Sequence, residues 1–516
     1  MMTILKEESF FRAIFLKRVW MPVSVVLVLC FSIAPPVWPQ CTPEILYTFT
    51  GEASSDNLGY SVSGAGDVNN DGYADLIVGA HWNDAGGTNA GRAYVYSGQT
   101  GALLYTFTGA ATDDLFGCSV SGAGDVNNDG YADVIVGARY NDAGGSDAGR
   151  AYVYSGQTGA PLYTFTGAAG ADLFGGSVSG AGDVNKDGYA DLIVGAYFND
   201  AGGSDAGRAY VYSGRTGALL RTFTGAAAGD LFGGSVSGAG DVNDDGYADL
   251  IVGARHNDAG SSDAGRAYVY SGQSGALLNT FTGAAAGDEF GCSVSGAGDV
   301  NKDGYADLIV GAYYNDAGGT NAGRANVYSG QTGALLHTFT GEAADNWFGF
   351  SVSGAGDVNN DGCADLIVGA WYNDAGGVDA GRAYVYSGQS GALLYTFTGE
   401  AAEDYFGYSV SGAGDINNDG YADLIIGAWY NNAGGVDAGR AYVYSCPTAY
   451  LCGDADGSGA INILDVAYVI TYLYKGGPAP DPTNKADVNH SGAINILDVG
   501  YTIGYIYKLG PAPNCP

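Results

Sequence analysis

From residue 41 onward, short apolar runs alternate with polar turn clusters at a fixed spacing. One stretch reads, from Ser61, SVSGAGDVNNDGYADLIVGAHWNDAGGTNAGRAYVYSGQTGALLYTFTG. Its runs SVSGAG, ADLIVGA, RAYVYSG and LLYTFTG are rich in Val, Ile, Tyr, Phe and Thr and are bounded by Gly, Asn and Asp, which predicts four strands. A helical period fails, because glycine recurs within every run and no apolar stretch reaches helical length before a turn signal. The string DVNNDGYAD begins at Asp67 and recurs, with small changes, at Asp125, Asp183, Asp241, Asp299, Asp357 and Asp415, each step being 58 residues. Seven such units fill 406 residues, the length of residues 41–446.

Four antiparallel strands copied seven times predict a mainly β fold, a seven-bladed β-propeller, whose radial arrangement leaves few open sheet edges. The phase of the pattern favours a closed ring. Ile45 to Gly51 matches Leu103 to Gly109, a fourth strand that arrives before any first strand. The last repeat stops at Tyr442-Val443-Tyr444-Ser445, after its third strand. The N-terminal strand is therefore expected to complete the last blade. Cys446 falls in register with Gly98 and Cys41 with Gln99, so a Cys41–Cys446 disulfide is expected to staple the ring, the alternative being two unrelated cysteines. A chain-entropy argument credits so long a loop with about 4.7 kcal/mol or more.

Composition sharpens this picture. Glycine numbers 88 of 516 residues, which suits a chain that turns often, and 55 acids against 20 bases give a formal net charge of -35. Such a chain cannot neutralise phosphates and is repelled by anionic membranes, so nucleic acid is excluded as a partner. Residues 1–40 stand outside the repeat: Lys6, Arg12, Lys17 and Arg18 precede an apolar run from Met21 to Ala34, too short for a membrane span but suited to a secretory signal. Ser32 and Ala34 have the small side chains of a cleavage site but precede Pro35, and a cut before a lipid-bearing Cys41 lacks a small-residue signature. The mature chain is expected to be exported, without a transmembrane segment, at a net charge of -37 once four bases and two acids are removed.

The spacing D-x-N-x-D-G-x-x-D turns alternate side chains toward one point, glycine permits the sharp turn, and oxygen-only ligands select a hard cation such as calcium. In the first repeat the ligands would be Asp67, Asn69, Asp71 and Asp75, with the Tyr73 carbonyl. The second and third repeats offer Asp125, Asn127, Asp129, Tyr131 and Asp133, then Asp183, Asn185, Asp187, Tyr189 and Asp191. The fourth and fifth offer Asp241, Asn243, Asp245, Tyr247 and Asp249, then Asp299, Asn301, Asp303, Tyr305 and Asp307. The last two offer Asp357, Asn359, Asp361, Cys363 and Asp365, then Asp415, Asn417, Asp419, Tyr421 and Asp423. Hairpin turns built from Asp, Asn and Gly account for one such string, but not readily for seven that keep all three acids.

Phe116-Gly117, Phe174-Gly175, Phe232-Gly233, Phe290-Gly291, Phe348-Gly349 and Phe406-Gly407, each followed by a calcium-like loop and then VGA or IGA, resemble the FG-GAP repeats of the integrin α-subunit propeller. The first repeat departs with Leu58-Gly59, and the proline of the motif is replaced throughout. The resemblance implies a seven-bladed, calcium-bearing propeller with an adhesion or ligand-binding role, and it names no ligand.

After Cys446 the pattern changes. Residues 454–465 and 487–498 form two twelve-residue loops with EF-hand-like spacing. Their expected ligands are Asp454, Asp456, Ser458, Ala460, Asn462 and Asp465, then Asp487, Asn489, Ser491, Ala493, Asn495 and Asp498, the alanines through their carbonyls. Each loop leads into an apolar helical stretch, Val466 to Tyr474 and Val499 to Tyr507. The pair, followed by Gly-Pro-Ala-Pro, resembles a dockerin, the module by which secreted bacterial proteins plug into cohesin domains. The resemblance implies a cohesin-type partner and, with the blades, about nine calcium ions, seven in the propeller and two here. Ser458 and Ser491 stand where dockerins usually carry Asp, which weakens the metal sites. Ile463-Leu464 and Ile496-Leu497 occupy the partner-choosing positions, and so apolar a pair fits either a hydrophobic partner surface or a contact with the propeller. Cys452 and Cys515 bracket the module as a candidate disulfide. The expected layout is a signal over 1–40, the propeller over 41–446, a linker over 447–452 and the dockerin-like domain over 453–516.

Between near-identical repeats the pair after each VGA or IGA varies: His81-Trp82, Arg139-Tyr140, Tyr197-Phe198, Arg255-His256, Tyr313-Tyr314, Trp371-Tyr372 and Trp429-Tyr430. These residues leave the second strand at the end opposite the metal hairpin and would ring one face. Aromatic and arginine side chains there suit sugar stacking or peptide recognition, or else wedge between blades. No nucleophile with an adjacent base is visible, and Cys118, Cys292 and Cys363 read as buried thiols. The expected function is a secreted, calcium-stabilised propeller that binds an extracellular glycan or protein and is displayed through a dockerin. The alternative is a catalytic or accessory component of a polysaccharide-degrading complex, a hydrolase or lyase.

Overall fold

The structure, a computed structural model, describes residues 43–445, 453–456, 461–480, 486–489, 491–508 and 513. The expected signal, the 447–452 linker, Cys41, Cys446, Cys452, Cys515, Ser458 and Ala460 lie outside the described residues.

Seven four-stranded antiparallel sheets form the blades. In the first blade Leu58–Gly66, Asp75–Ala80, Arg92–Tyr96 and Leu103–Thr108 pair in chain order, with Val62 opposite Val78, Val78 opposite Tyr94 and Tyr94 opposite Thr106. The first strand starts at the aromatic-glycine pair in some blades (Phe116–Gly124) and later in others (Ser177–Gly182, Val294–Gly298). The last blade comprises Phe406–Gly414, Asp423–Ala428 and Arg440–Ser445, completed by the N-terminal strand Glu44–Thr50 with Phe49 opposite Ala441. Ring closure by the first strand is thus the observed arrangement.

The second strand, DLIVGA, is buried at every position, because neighbouring blades cover both of its faces. Apolar clusters form between consecutive blades: Val68, Ile77, Val95 and Phe107 meet Phe116, Val120 and Val136 of the next. Across the closure, Phe49, Leu58, Val62 and Val78 meet Ile416, Ile425 and Val443. The blades approach so closely that a Cβ on Gly79 would lie 2.0 Å from the Gly117 carbonyl oxygen. The VGA glycine and the Phe-Gly glycine therefore fit only as glycines at their mutual contact. Near the channel a serine of each first strand accepts a backbone N–H of the next blade, as Val120 N donates to Ser61 Oγ at 3.0 Å. Six of the seven third-strand arginines brace the outer strand, as Arg92 Nε donates to Thr108 Oγ1 at 3.2 Å, whereas Arg324 Nε is buried without a partner among the described residues.

The C-terminal segment forms helices α1 (Ile463–Lys475) and α2 (Ile496–Lys508). Both begin three residues before the apolar stretch seen in the sequence, because a cap sets the start. Asn462 Oδ1 accepts Leu464 N at 2.8 Å while Asp465 accepts Asn462 N at 2.8 Å, a capping box. Asn495 and Asp498 repeat it. Val466, Val469 and Val499 form a small core with Ala455 and Ala486. Among the described residues no helix is long and apolar enough to cross a membrane.

Candidate metal loops and the channel mouth

Each connection from first to second strand wraps around its own side-chain oxygens. Asp67 accepts Asp71 N at 3.0 Å and Gly72 N at 2.9 Å, Asn69 accepts Asp71 N at 2.9 Å, and Asp71 accepts Tyr73 N at 3.0 Å. Gly72 sits at φ +89 with open space where a Cβ would be, so conformation rather than crowding selects glycine. The loops starting at Asp125, Asp183, Asp241, Asp299, Asp357 and Asp415 repeat these bonds. Positions one, three and five are thereby turned inward, and their carboxylate and amide oxygens suit a hard cation.

The ninth-position acid is placed differently. Asp75 is fully buried; its Oδ2 accepts Val68 N at 2.8 Å and Asn69 N at 3.2 Å, and its Oδ1 accepts Gly98 N at 2.9 Å. It ties the hairpin to the end of the third strand. Burial pushes its carboxyl up to about 6 despite these donors. Asp133, Asp191, Asp249 and Asp307 also stand at about 6, and Asp365 and Asp423 at about 7. Cys363 is buried where other repeats have tyrosine, and its N–H still donates to Asp361 at 2.9 Å, so the backbone course is unchanged.

Among the described residues, three acids with ligand atoms all within 4.8 Å of one another occur at Asp454, Asp456 and Asp465, and not in the propeller loops. In the second C-terminal loop Asp487 accepts Ser491 N at 2.9 Å and Gly492 N at 2.6 Å, and the buried Asn489 Oδ1 has no hydrogen-bond partner among the described residues. An orphaned third-position oxygen beside inward carboxylates fits a bound cation. Ile463, Leu464, Ile496 and Leu497 lie in the first turns of the helices, 47% to 67% exposed.

At the opposite ends of the second strands the variable pairs split. First members turn toward the channel: His81, Tyr313 and Trp371 are buried, at 2%, 8% and 7% exposure. Trp371 packs edge-on against Trp347 at 5.2 Å and Tyr408 at 5.2 Å, bridging two blades, and Trp429 packs against Tyr60 at 5.5 Å. Second members reach outward, with Trp82 38% and Tyr140 37% exposed and Phe198, His256, Tyr314, Tyr372 and Tyr430 half-buried.

A cavity of about 240 Å³ opens at the channel, lined by Arg139, Tyr197, Arg255 and Tyr313, by the strand-one serines, and by Tyr60, Cys118, Gly176, Gly234, Cys292, Phe350 and Tyr408. The last seven follow the Phe-Gly or Leu-Gly pair, and the sequence reading missed them as a set. Their signal was present, since this position also varies between otherwise uniform repeats. Cys118 and Cys363 are buried as expected, whereas Cys292 is half-buried at the cavity. Glu289, also missed, accepts the Tyr313 hydroxyl at 2.7 Å and lies 3.4 Å from His256 Nε2. Burial would raise its carboxyl, but these bonds and Arg255 hold it below its ordinary value. A second groove, about 480 Å³, is lined by His81, Trp82, Arg139, Tyr140, Tyr408 and Trp429 among others.

The FG-GAP repeat model matches residues 58–96, 116–154, 174–212, 232–270, 290–328, 348–386 and 406–444. The dockerin type I domain model matches residues 452–506. Domains of both types bind calcium in general. Similar curated proteins include integrin alpha-5 of Xenopus laevis, 32% identical over 38% of this chain and 20% of the integrin. Integrin alpha-6 of Gallus gallus is 33% identical over 29% of this chain and 14% of its own length, and integrin alpha-8 of Mus musculus 35% over 30% and 16%. The chain thus spans a fifth or less of the length of these relatives. With seven repeats making seven blades and a dockerin type I domain after them, the chain belongs to the FG-GAP repeat family.

Proposed function

We propose that this is an exported propeller that carries calcium in its seven blade loops and two C-terminal loops. Its dockerin attaches it to a cohesin-bearing scaffold or surface, and the face bearing the variable pairs binds an extracellular glycan or protein. Counting the ninth-position acids, which also tie each hairpin to its third strand, the assignment uses 26 of the 55 acids as calcium ligands, which gives the acidic composition a purpose. The parts are the export signal, the propeller over 41–446, the linker and the docking module over 453–516.

The observation that carries the ligand-binding reading is the pairing of exposed Trp82 and Tyr140 with Arg139 along one groove. Aromatic faces held on rigid strand ends beside a guanidinium bind with little loss of side-chain freedom. The test is capture on glycan and extracellular-protein arrays, run beside an assay for released sugar ends. Trp82→Ala with Tyr140→Ala is expected to abolish capture and leave the unfolding midpoint in place, with no product from the parent protein. Undiminished capture by that variant would move the site elsewhere, and product release would favour an enzyme component.

A further inference from the structure

We infer that the channel mouth is an anion site, and that the ligand it selects is an oligosaccharide bearing one isolated carboxylate or sulfate. This rests on the glycan side of the reading above. Arg139 and Arg255 enter the 240 Å³ cavity on either side of Tyr197, and the Nε of each is buried without a hydrogen-bond partner. Arg255 has Glu289 3.7 Å away, whereas Arg139 has no carboxylate partner among the described residues. A desolvated guanidinium without a counter-charge gains most from an anion.

The remaining lining adds donors. Ser61, Ser119 and Ser177 each accept a backbone N–H of the next blade at 3.0 Å, which fixes Oγ and leaves the hydroxyl hydrogen to donate. Space is provided on this side alone: Gly176 and Gly234 stand where Phe350 and Tyr408 fill the other half of the ring. The volume is below the roughly 300–1,000 Å³ of ordinary small-molecule pockets, so it admits one charged group and part of a ring.

Arg139 also lines the neighbouring groove, its guanidinium 5.3 Å from the Tyr140 ring. A sugar stacked on Tyr140 or Trp82 would bring an acidic neighbour to Arg139. The surroundings exclude a polyanion or an acidic peptide: Asp113 lines the groove, and Asp84 and Asp142 are exposed on the adjoining loops. At physiological salt the field of such charges fades over about 8 Å, so a ligand with one anionic group is tolerated and a run of them is not.

Isothermal titration of the calcium-loaded full chain would use a hexasaccharide ending in one glucuronic acid and its carboxyl-reduced counterpart. The acidic ligand is expected to bind at least tenfold more tightly. Arg139→Gln should remove most of that preference and Arg255→Gln, whose guanidinium already faces Glu289, a smaller part, while Arg221→Gln, the same charge change on an outer strand, should leave it unchanged. Unfolding midpoints would confirm that the variants fold. Equal affinity for the reduced sugar would overturn the anion site and leave a sugar-binding face standing. An acidic peptide bound through both arginines in place of sugar would overturn the glycan assignment, and no binding by any probe would overturn both readings.

Discussion

Ser409 Oγ accepts the backbone N–H of Val62 at 3.0 Å although 347 residues separate them. This bond joins the last blade to the first, and its six counterparts run from Val120 to Ser61 around to Val410 and Ser351 at 3.0–3.1 Å. Seven equivalent bonds make a belt with no weak link at the chain ends. Ser409→Ala strips Val62 N–H of its acceptor, at a cost of about 1–3 kcal/mol. Ser235→Ala, in mid-chain, should cost the same in denaturant unfolding; a much larger loss at Ser409 would show that the closure is strained.

The N-terminal strand contributes more than hydrogen bonds. Phe49 is 7% exposed and stacks on Tyr96 of the first blade at 3.8 Å and 11°. Phe49→Ala therefore weakens two blades at once, by about 3–5 kcal/mol. A chain beginning after Thr50 would leave the strand Arg440–Ser445 as an open edge, and light scattering should detect its self-association.

Ring closure was legible in the sequence because strand phase is a counting property: a fourth-type strand before Leu58 and a missing one after Ser445 leave a single pairing. The turned-in shape of the blade loops was legible because its hydrogen bonds are local. Asp75 was harder, since one of its donors, Gly98 N, lies 23 residues on and meets it only once the strands pair. Trp82 and Trp371 are grouped in one ring by the sequence, yet Trp82, the second member of its pair, faces solvent while Trp371, the first member of its pair, bridges blades. The strand before each is buried throughout, so no polar alternation marks which side faces out.

That difference is measurable. Trp371→Ala removes a ring at 7% exposure packed on Trp347 and Tyr408 and should cost about 3–5 kcal/mol. Trp82→Ala, at 38% exposure, should cost no more than about 0.5 kcal/mol. Equal losses would place both rings in the interior.

The ninth-position acids give a pH signature. Asp75, Asp133, Asp191, Asp249 and Asp307 have carboxyls raised to about 6 by burial, and Asp365 and Asp423 to about 7. Between the unfolded value near 3.8 and these folded values, the folded metal-free chain holds more protons than the unfolded one. Stability must then fall as pH rises through that window and level off above about 7. Thermal unfolding in EDTA from pH 4 to 8 should show this decline, and a midpoint that rises instead would contradict the burial of these acids as ionisable groups.

Calcium should reverse that slope. The ion binds carboxylate and competes with protons, so its stabilisation grows over the same range in which the metal-free chain weakens. Each occupied site adds RT ln(1 + [Ca]/Kd), about 2.7 kcal/mol at a hundredfold excess over Kd. With the blade loops acting together, the unfolding midpoint should climb steadily with the logarithm of calcium concentration at pH 7 and drop on chelation. The C-terminal loops should respond separately: Asp465 both caps α1 and lies with Asp454 and Asp456, so Asp465→Ala should lower helical ellipticity while leaving propeller unfolding unchanged. A melting curve unmoved by EDTA would mean that loops of this spacing hold their shape through Asp67, Asn69 and Asp71 hydrogen bonds alone.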